Sequence, residues 1–295
     1  MTAAADASFG ARLRTAIAER GHLCVGIDPH PFLLESWGLP DNGQGAREFG
    51  LRVVDAASDR VGIVKPQNAF FERLGAAGYS ALEDVLSAAR SAGLLVIADV
   101  KRGDVGTSVE AYGQAWLTPG SPLESDAMTI SAFQGVGSIA APMDLAMRSG
   151  KGMFVLAATS NPEAARIQLA RADAGDDATS VARVIIDDVM NYNAQRADGA
   201  VGSIGVVLGA TLDLADYGID VAAAPSPGLP VLAPGFGHQG AKLADAPNIY
   251  GALLANTVVS DSRSLLSAGP NGLAAEIDRR NDELAAVAEL RRTVG

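Results

Sequence analysis

The chain has 295 residues, of which 48% are hydrophobic and 19% charged, so it holds ample material for a core and is no disordered chain. Its formal net charge of −11 removes the basic face that a general nucleic-acid binder needs, although one local pocket can still attract an anion. The single cysteine, Cys24, excludes an internal disulfide and favours a cytoplasmic setting, no apolar run reaches the ~20 residues of a membrane span, and residues 1–10 lack the basic start and apolar centre of a signal peptide.

Residues 8–20 predict an amphipathic helix, because Phe9, Leu13 and Ile17 recur every four residues between a capping Ser8 and a stopping Gly21. Short, near-continuous apolar runs then follow at 22–28, 61–66, 94–101, 127–132, 152–159, 203–210, 230–234 and 248–257. Runs of this kind predict strands covered on both faces. Helical stretches separate them at 45–58, 71–92, 108–117, 139–149, 179–196 and from 242 onward, and residues 262–267 and 273–292 close the chain as helix. Residues 173–178 and 222–228 are small, polar or proline-rich and predict surface loops. Strand and helix alternating eight times predicts an α/β fold, a parallel (β/α)8 TIM barrel, rather than an open doubly wound sheet. The expectation is one domain over 1–295, with the barrel proper at about 22–267, an N-terminal helix before it and a C-terminal helix after it.

In such a barrel the chemistry lies at the C-terminal ends of the strands. The chain has four lysines, and two of them, Lys65 and Lys101, fall at those ends. Asp99 and Lys101 are two apart, so on an extended strand they point to the same side, with Asp104 just past a break at Gly103. One structural ion pair would explain Asp99 with Lys101. It would not explain a second lysine and a second acid at the same rim, where unpaired charge is costly. Residues 234–240 are glycine-rich and Ser262–Arg263 opens a helix, a combination that points to a phosphate site after strands seven and eight. The three histidines, His22, His30 and His238, are scattered, no Cys/His cluster has metal-ligand spacing, and no metal site is expected. Trp37, Trp116, Met143 and Met147 read as packing residues, and His238 as an edge residue of the glycine-rich loop.

These segments together resemble the orotidine 5'-monophosphate decarboxylase family in its bacterial second-type form. The resemblance is carried by KPQNAFFE at 65–72, DVKRGDVG at 99–106, TSNP at 159–162, PGFGHQG at 234–240 and SR at 262–263. It implies decarboxylation of orotidine 5'-phosphate to UMP and CO2 in pyrimidine biosynthesis, without cofactor or metal. It further implies that Lys101 protonates C6 as CO2 leaves and that Asp99 lies beside the substrate carboxylate. Lys65 would orient Asp99 and, with Asp28, bind ribose hydroxyls. Ser160 would meet the base edge, and Gln239 and Arg263 the phosphate. Asp104 would reach the active site of a neighbouring subunit, making the active unit a homodimer. Where the family pattern has threonine this chain has Ser108, which keeps the hydroxyl and loses a methyl, and the 222–229 stretch is long and proline-rich. Two alternatives stand beside this reading. One is a sister sugar-phosphate decarboxylase or hexulose-phosphate synthase, which needs a further acid for Mg²⁺ and for which Glu72 is available. The other is a non-catalytic nucleotide-binding barrel.

Overall fold

The apolar runs become eight parallel strands that close on themselves. A computed structural model describes residues 7–172, 179–196 and 199–294, with side chains up to 287. Its strands are β1 (Leu23–Ile27), β2 (Ile63–Pro66), β3 (Leu95–Arg102), β4 (Ala127–Ile130), β5 (Gly152–Ala158), β6 (Ile204–Leu208), β7 (Val231–Ala233) and β8 (Thr257–Asp261). β8 returns to β1 through the pairs Leu23 with Val259 and Cys24 with Ser260. The expected barrel is therefore the observed architecture. The expected loop at 173–178 lies outside the described residues, whereas residues 222–227 are irregular as expected. No helix among the described residues is long and apolar enough to cross a membrane.

The alternation of side chains along each strand divides the molecule into two cores. One faces outward into the ring of helices and contains Leu23, Val25, Val64, Val96 and Val206. The other faces inward and contains Cys24, Ile63, Ile97, Phe154 and Val258. The inner core is closed from below by the N-terminal helix Phe9–Arg20, which Ser8 caps through its hydroxyl, accepting from the Ala11 amide. Phe9, Leu13 and Ile17 of that helix fill the barrel floor, and the Phe9 ring meets Phe154 edge-on at 5.9 Å. The fit is close: a Cβ at Gly152 would stand 2.2 Å from the Phe9 ring.

Two expected elements differ. The stretch 248–257 is not the eighth strand. It forms the helix Ala246–Tyr250 and the 3-10 turn Gly251–Asn256, and the strand begins only at Thr257. Tyr250, Leu253 and Leu254 are buried at three-to-four spacing, and a short apolar run looks alike whether it is a buried helix or a strand. The helix expected over 71–92 is broken into Ala69–Glu72 and Gly75–Ser91, because Gly75 takes φ +62, a left-handed conformation that suits glycine.

Candidate active site

The same alternation that fills the barrel floor carries charge at its mouth. Along β2, Ile63 points inward, and two residues later so does Lys65. Along β3, Leu95 and Ile97 point inward, followed by Asp99. Lys65 and Asp99 are thus both buried, on neighbouring strands, above an apolar floor. Asp99 accepts four hydrogen bonds. Its Oδ2 receives Lys65 Nζ at 2.9 Å and Gln67 Nε2 at 2.9 Å, and its Oδ1 receives Lys101 Nζ at 2.5 Å and the Thr129 hydroxyl at 2.9 Å. That uses the whole accepting capacity of a carboxylate. Burial alone would push the Asp99 carboxyl up, but Lys65 and Lys101 outweigh it and hold the group well below the usual carboxylate range. Burial likewise works against the Lys65 ammonium, and the facing Asp99 and Asp28 overcome it and hold Lys65 charged above its ordinary value. Beneath them burial pushes the Cys24 thiol up to about 12, so the only cysteine is an inert part of the floor.

Asp99 and Lys101 meet as expected, but a regular pleat is not the cause. The register of β3 against β4 jumps between Ala98 and Arg102, and Lys101 sits at φ +44. A left-handed conformation at a non-glycine residue costs about 1–2 kcal/mol, which the surroundings must over-determine. The Lys101 side chain is 47% exposed, against 7% for Lys65, so the ammonium of Lys101 reaches into the open mouth while Lys65 remains beneath.

Above this ionic group lies a cavity of about 350 Å³, lined by Asp28, Lys65, Asp99 and Lys101 at the base and by Ser160, Gln239 and Arg263 further round. Leu156, Val207 and Pro234 form an apolar wall between them. Seven of the nine residues singled out in the sequence therefore surround one space, with Lys65, Asp99 and Lys101 at the same mouth as Arg263. One oxygen of Asp28, Oδ1, is buried with no hydrogen-bond partner among the described residues. The remaining two residues lie elsewhere. Asp104 is half-buried and accepts from the Val105 amide at 2.9 Å, Ser108 is exposed on the helix Gly106–Leu117, and neither lines this chain's cavity.

The glycine-rich loop is held in shape partly by its own backbone. Gly237, Gly240 and Ala241 donate their amides within the loop itself, to Ala241, Gly237 and Gly235. Gly235, Gly237 and Gly240 all have positive φ, and a Cβ at Gly237 would lie 2.2 Å from Ser264 Oγ. These glycines shape the turn, and Gly235, Phe236, His238 and Gln239 of the loop line the cavity. The helix after β8 is only the four residues Arg263–Leu266, so its dipole is small and the Arg263 guanidinium supplies the positive charge. Below it, Asp261 accepts from the Ser264 hydroxyl, and burial pushes its carboxyl up. His238 lies on the cavity edge as expected.

Among the polar lining or supporting residues that were not singled out in the sequence are Gln67, Thr129 and Asp261. Gln67 stands inside the KPQN segment and could have been found there; a lone threonine in a strand carries no such signal. Glu72, the acid available for a metal, is committed elsewhere: it accepts from Arg102 at 2.9 Å and from Asn68 at 2.7 Å, away from the cavity.

Known proteins resemble this chain along most of its length. The model of the orotidine 5'-phosphate decarboxylase / HUMPS family matches residues 21–276. The orotidine 5'-phosphate decarboxylase of Salinispora arenicola is 49% identical over 274 residues, 92% of this chain and 95% of that one. That of Streptomyces coelicolor is 47% identical over 264 residues, covering 89% and 91%. A crystal structure from Streptomyces avermitilis, provisionally described as the same enzyme, superposes with a TM-score of 0.89 at 42% identity over 98% of this chain and 99% of that one. The OMP decarboxylase of Leishmania donovani gives 0.74 at 27% identity over 95% and 98%. A barrel with this ionic mouth, matched along most of its length by these proteins, belongs to the orotidine 5'-phosphate decarboxylase family.

Proposed function

We propose that the chain converts orotidine 5'-phosphate to UMP and CO2, with the ion group Lys65–Asp99–Lys101 as its chemical centre. The observation that carries the reading is this group at the base of a cavity whose opposite side bears Arg263 and Gln239. The phosphate is held by Arg263 and Gln239, and the ribose hydroxyls by Lys65 and by Asp28, whose buried Oδ1 lacks any other donor. Ser160 meets the base edge, and the flat apolar part of the ring lies along Leu156, Val207 and Pro234.

This assignment brings C6 and its carboxylate to Lys101 and Asp99. When the C6–carboxylate bond breaks, the electron pair stays on C6 in the ring plane, where the ring delocalises it poorly. The half-exposed Lys101 ammonium faces that charge, stabilises it and then gives C6 a proton. Asp99 does not compete for the proton, because its four donors hold it ionised. The charges are fixed before the substrate arrives, so they favour the transition state without reorganisation. Each tenfold in rate needs about 1.4 kcal/mol, so a large acceleration draws on several such contacts together. Binding of the distant phosphate supplies energy to order the Gly-rich loop.

The reading includes a homodimer in which Asp104 and Ser108 serve the cavity of a second copy. Both lie off their own cavity, on a segment that also exposes Val105 (52%) and Tyr112 (37%). A cytoplasmic setting fits a pyrimidine-forming enzyme whose one cysteine is a buried thiol. The test is spectrophotometric turnover of orotidine 5'-phosphate in the presence of EDTA, with full activity expected. Activity lost to EDTA would favour a sister sugar-phosphate enzyme. Tight UMP binding without CO2 release would favour a nucleotide-binding barrel.

A further inference from the structure

We infer that Thr129 is a positioning residue for the decarboxylation: its hydroxyl holds the bulge of β3 that aims Lys101 into the cavity. The inference rests on the proposed role of Lys101. The β3–β4 register runs Ala98 with Met128 and then Arg102 with Ile130, so Asp99, Val100 and Lys101 all face Thr129 alone. A regular parallel ladder cannot supply backbone partners to a bulged segment of that length, and buried amides left unpaired are rarely tolerated. The Thr129 side chain supplies them. Its Oγ1 accepts from the Val100 amide at 3.0 Å and from the Lys101 amide at 2.9 Å, and it donates to Asp99 Oδ1 at 2.9 Å.

A hydroxyl has one donor and two acceptor sites, so all three are in use. Thr129 is 1% exposed and is itself fixed by pairing with Phe154 of β5. One buried oxygen thus ties the backbone of the catalytic lysine, at φ +44, to the carboxylate that the lysine contacts. Without that oxygen a buried and a part-buried amide lose their acceptor, and β3 gains by returning toward a regular register. Sliding a strand by one residue turns each side chain to the opposite face. Even a partial slide withdraws the Lys101 ammonium from C6, whereas Arg263, Gln239 and Asp28 stand on other strands and loops and keep their places.

The test compares Thr129→Val, which keeps the shape and removes the oxygen, with Thr129→Ser, which keeps the oxygen. Misplacing a reacting group by about 1 Å costs on the order of 10²-fold in rate, so kcat of Thr129→Val should fall by roughly 30- to 100-fold. The Kd for UMP, measured by calorimetry, should change by less than about threefold, and Thr129→Ser should recover most of the rate, to within about fivefold of the unaltered enzyme. Thr129→Cys, with a weak S–H in nearly the same volume, should fall between them and serves if the valine variant does not fold. A valine or cysteine variant that turns over within twofold of the unaltered enzyme overturns the inference. So does a parallel loss of kcat and UMP affinity, or a serine variant as slow as valine. Absence of CO2 release from the unaltered chain would instead overturn the decarboxylase reading, and this inference with it.

Discussion

Two buried ionic clusters sit at opposite ends of the barrel, and they differ in what they leave unfinished. At the floor, Arg12 pairs with Asp126 at 2.6 Å, Lys151 with Glu124 at 2.7 Å, and Arg90 with the other oxygen of Glu124 at 2.6 Å. The second oxygen of Asp126 accepts from the Val96 amide. Every carboxylate oxygen there has a partner within the chain, and the side chain of Lys151 is only 9% exposed. At the mouth, Asp99 is equally satisfied, but Asp28 keeps an orphaned oxygen and the side chain of Lys101 is 47% exposed to the cavity. Pairing and burial of charge are therefore common to a structural clamp and a reactive site. What separates the mouth is a carboxylate oxygen left without a donor beside a lysine that is held in place yet half exposed to the cavity.

The contrast predicts where substitutions act. Lys101→Ala should lower turnover by at least about 10⁴-fold, because it removes both a proton donor and the cation at the developing charge, while UMP binding stays measurable by calorimetry. Near-normal turnover would remove Lys101 from the chemistry. Asp104→Ala should be nearly as damaging by itself. Mixing it with Lys101→Ala subunits, under proven exchange, should restore about a quarter of the activity, since half the dimers are hybrid and each carries one whole site. No recovery would keep Asp104 out of a neighbour's cavity. Arg263→Ala should cost about 10²-fold in kcat/KM, mostly through KM, by losing the charge that meets the phosphate. At the other end, Asp126→Asn should leave kcat and KM within twofold. It should destabilise the fold by about 2 kcal/mol, visible as a lower Tm, because Arg12 is partly solvated and its loss of partner is softened. A catalytic defect in Asp126→Asn would erase the distinction between the two clusters.

The barrel was legible because parallel strands covered on both faces are written as continuous apolar runs, and seven of the eight begin within two residues of where the sequence places them. The eighth failed where an apolar run coiled into a buried helix around Tyr250. The charged residues of the site were legible for a related reason: lysines and aspartates at strand ends have no cheap structural purpose. Thr129 was not, since a hydroxyl in a strand has many uses and only the partner across the sheet shows which one applies, whereas Gln67 carried a signal only through the KPQN segment around it. Asp99 with Lys101 is the instructive case. Spacing by two correctly brings them together, yet the backbone achieves it through a bulge that no periodicity contains.

Lys101 occupies a backbone conformation in which glycine would be more comfortable. Lys101→Gly would relax that point of the chain, remove the proposed proton donor and take one of four donors from the buried Asp99 in a single step. Libraries of this barrel ranked by heat tolerance alone would weigh that relief against the lost ion pair and would be blind to turnover at this position.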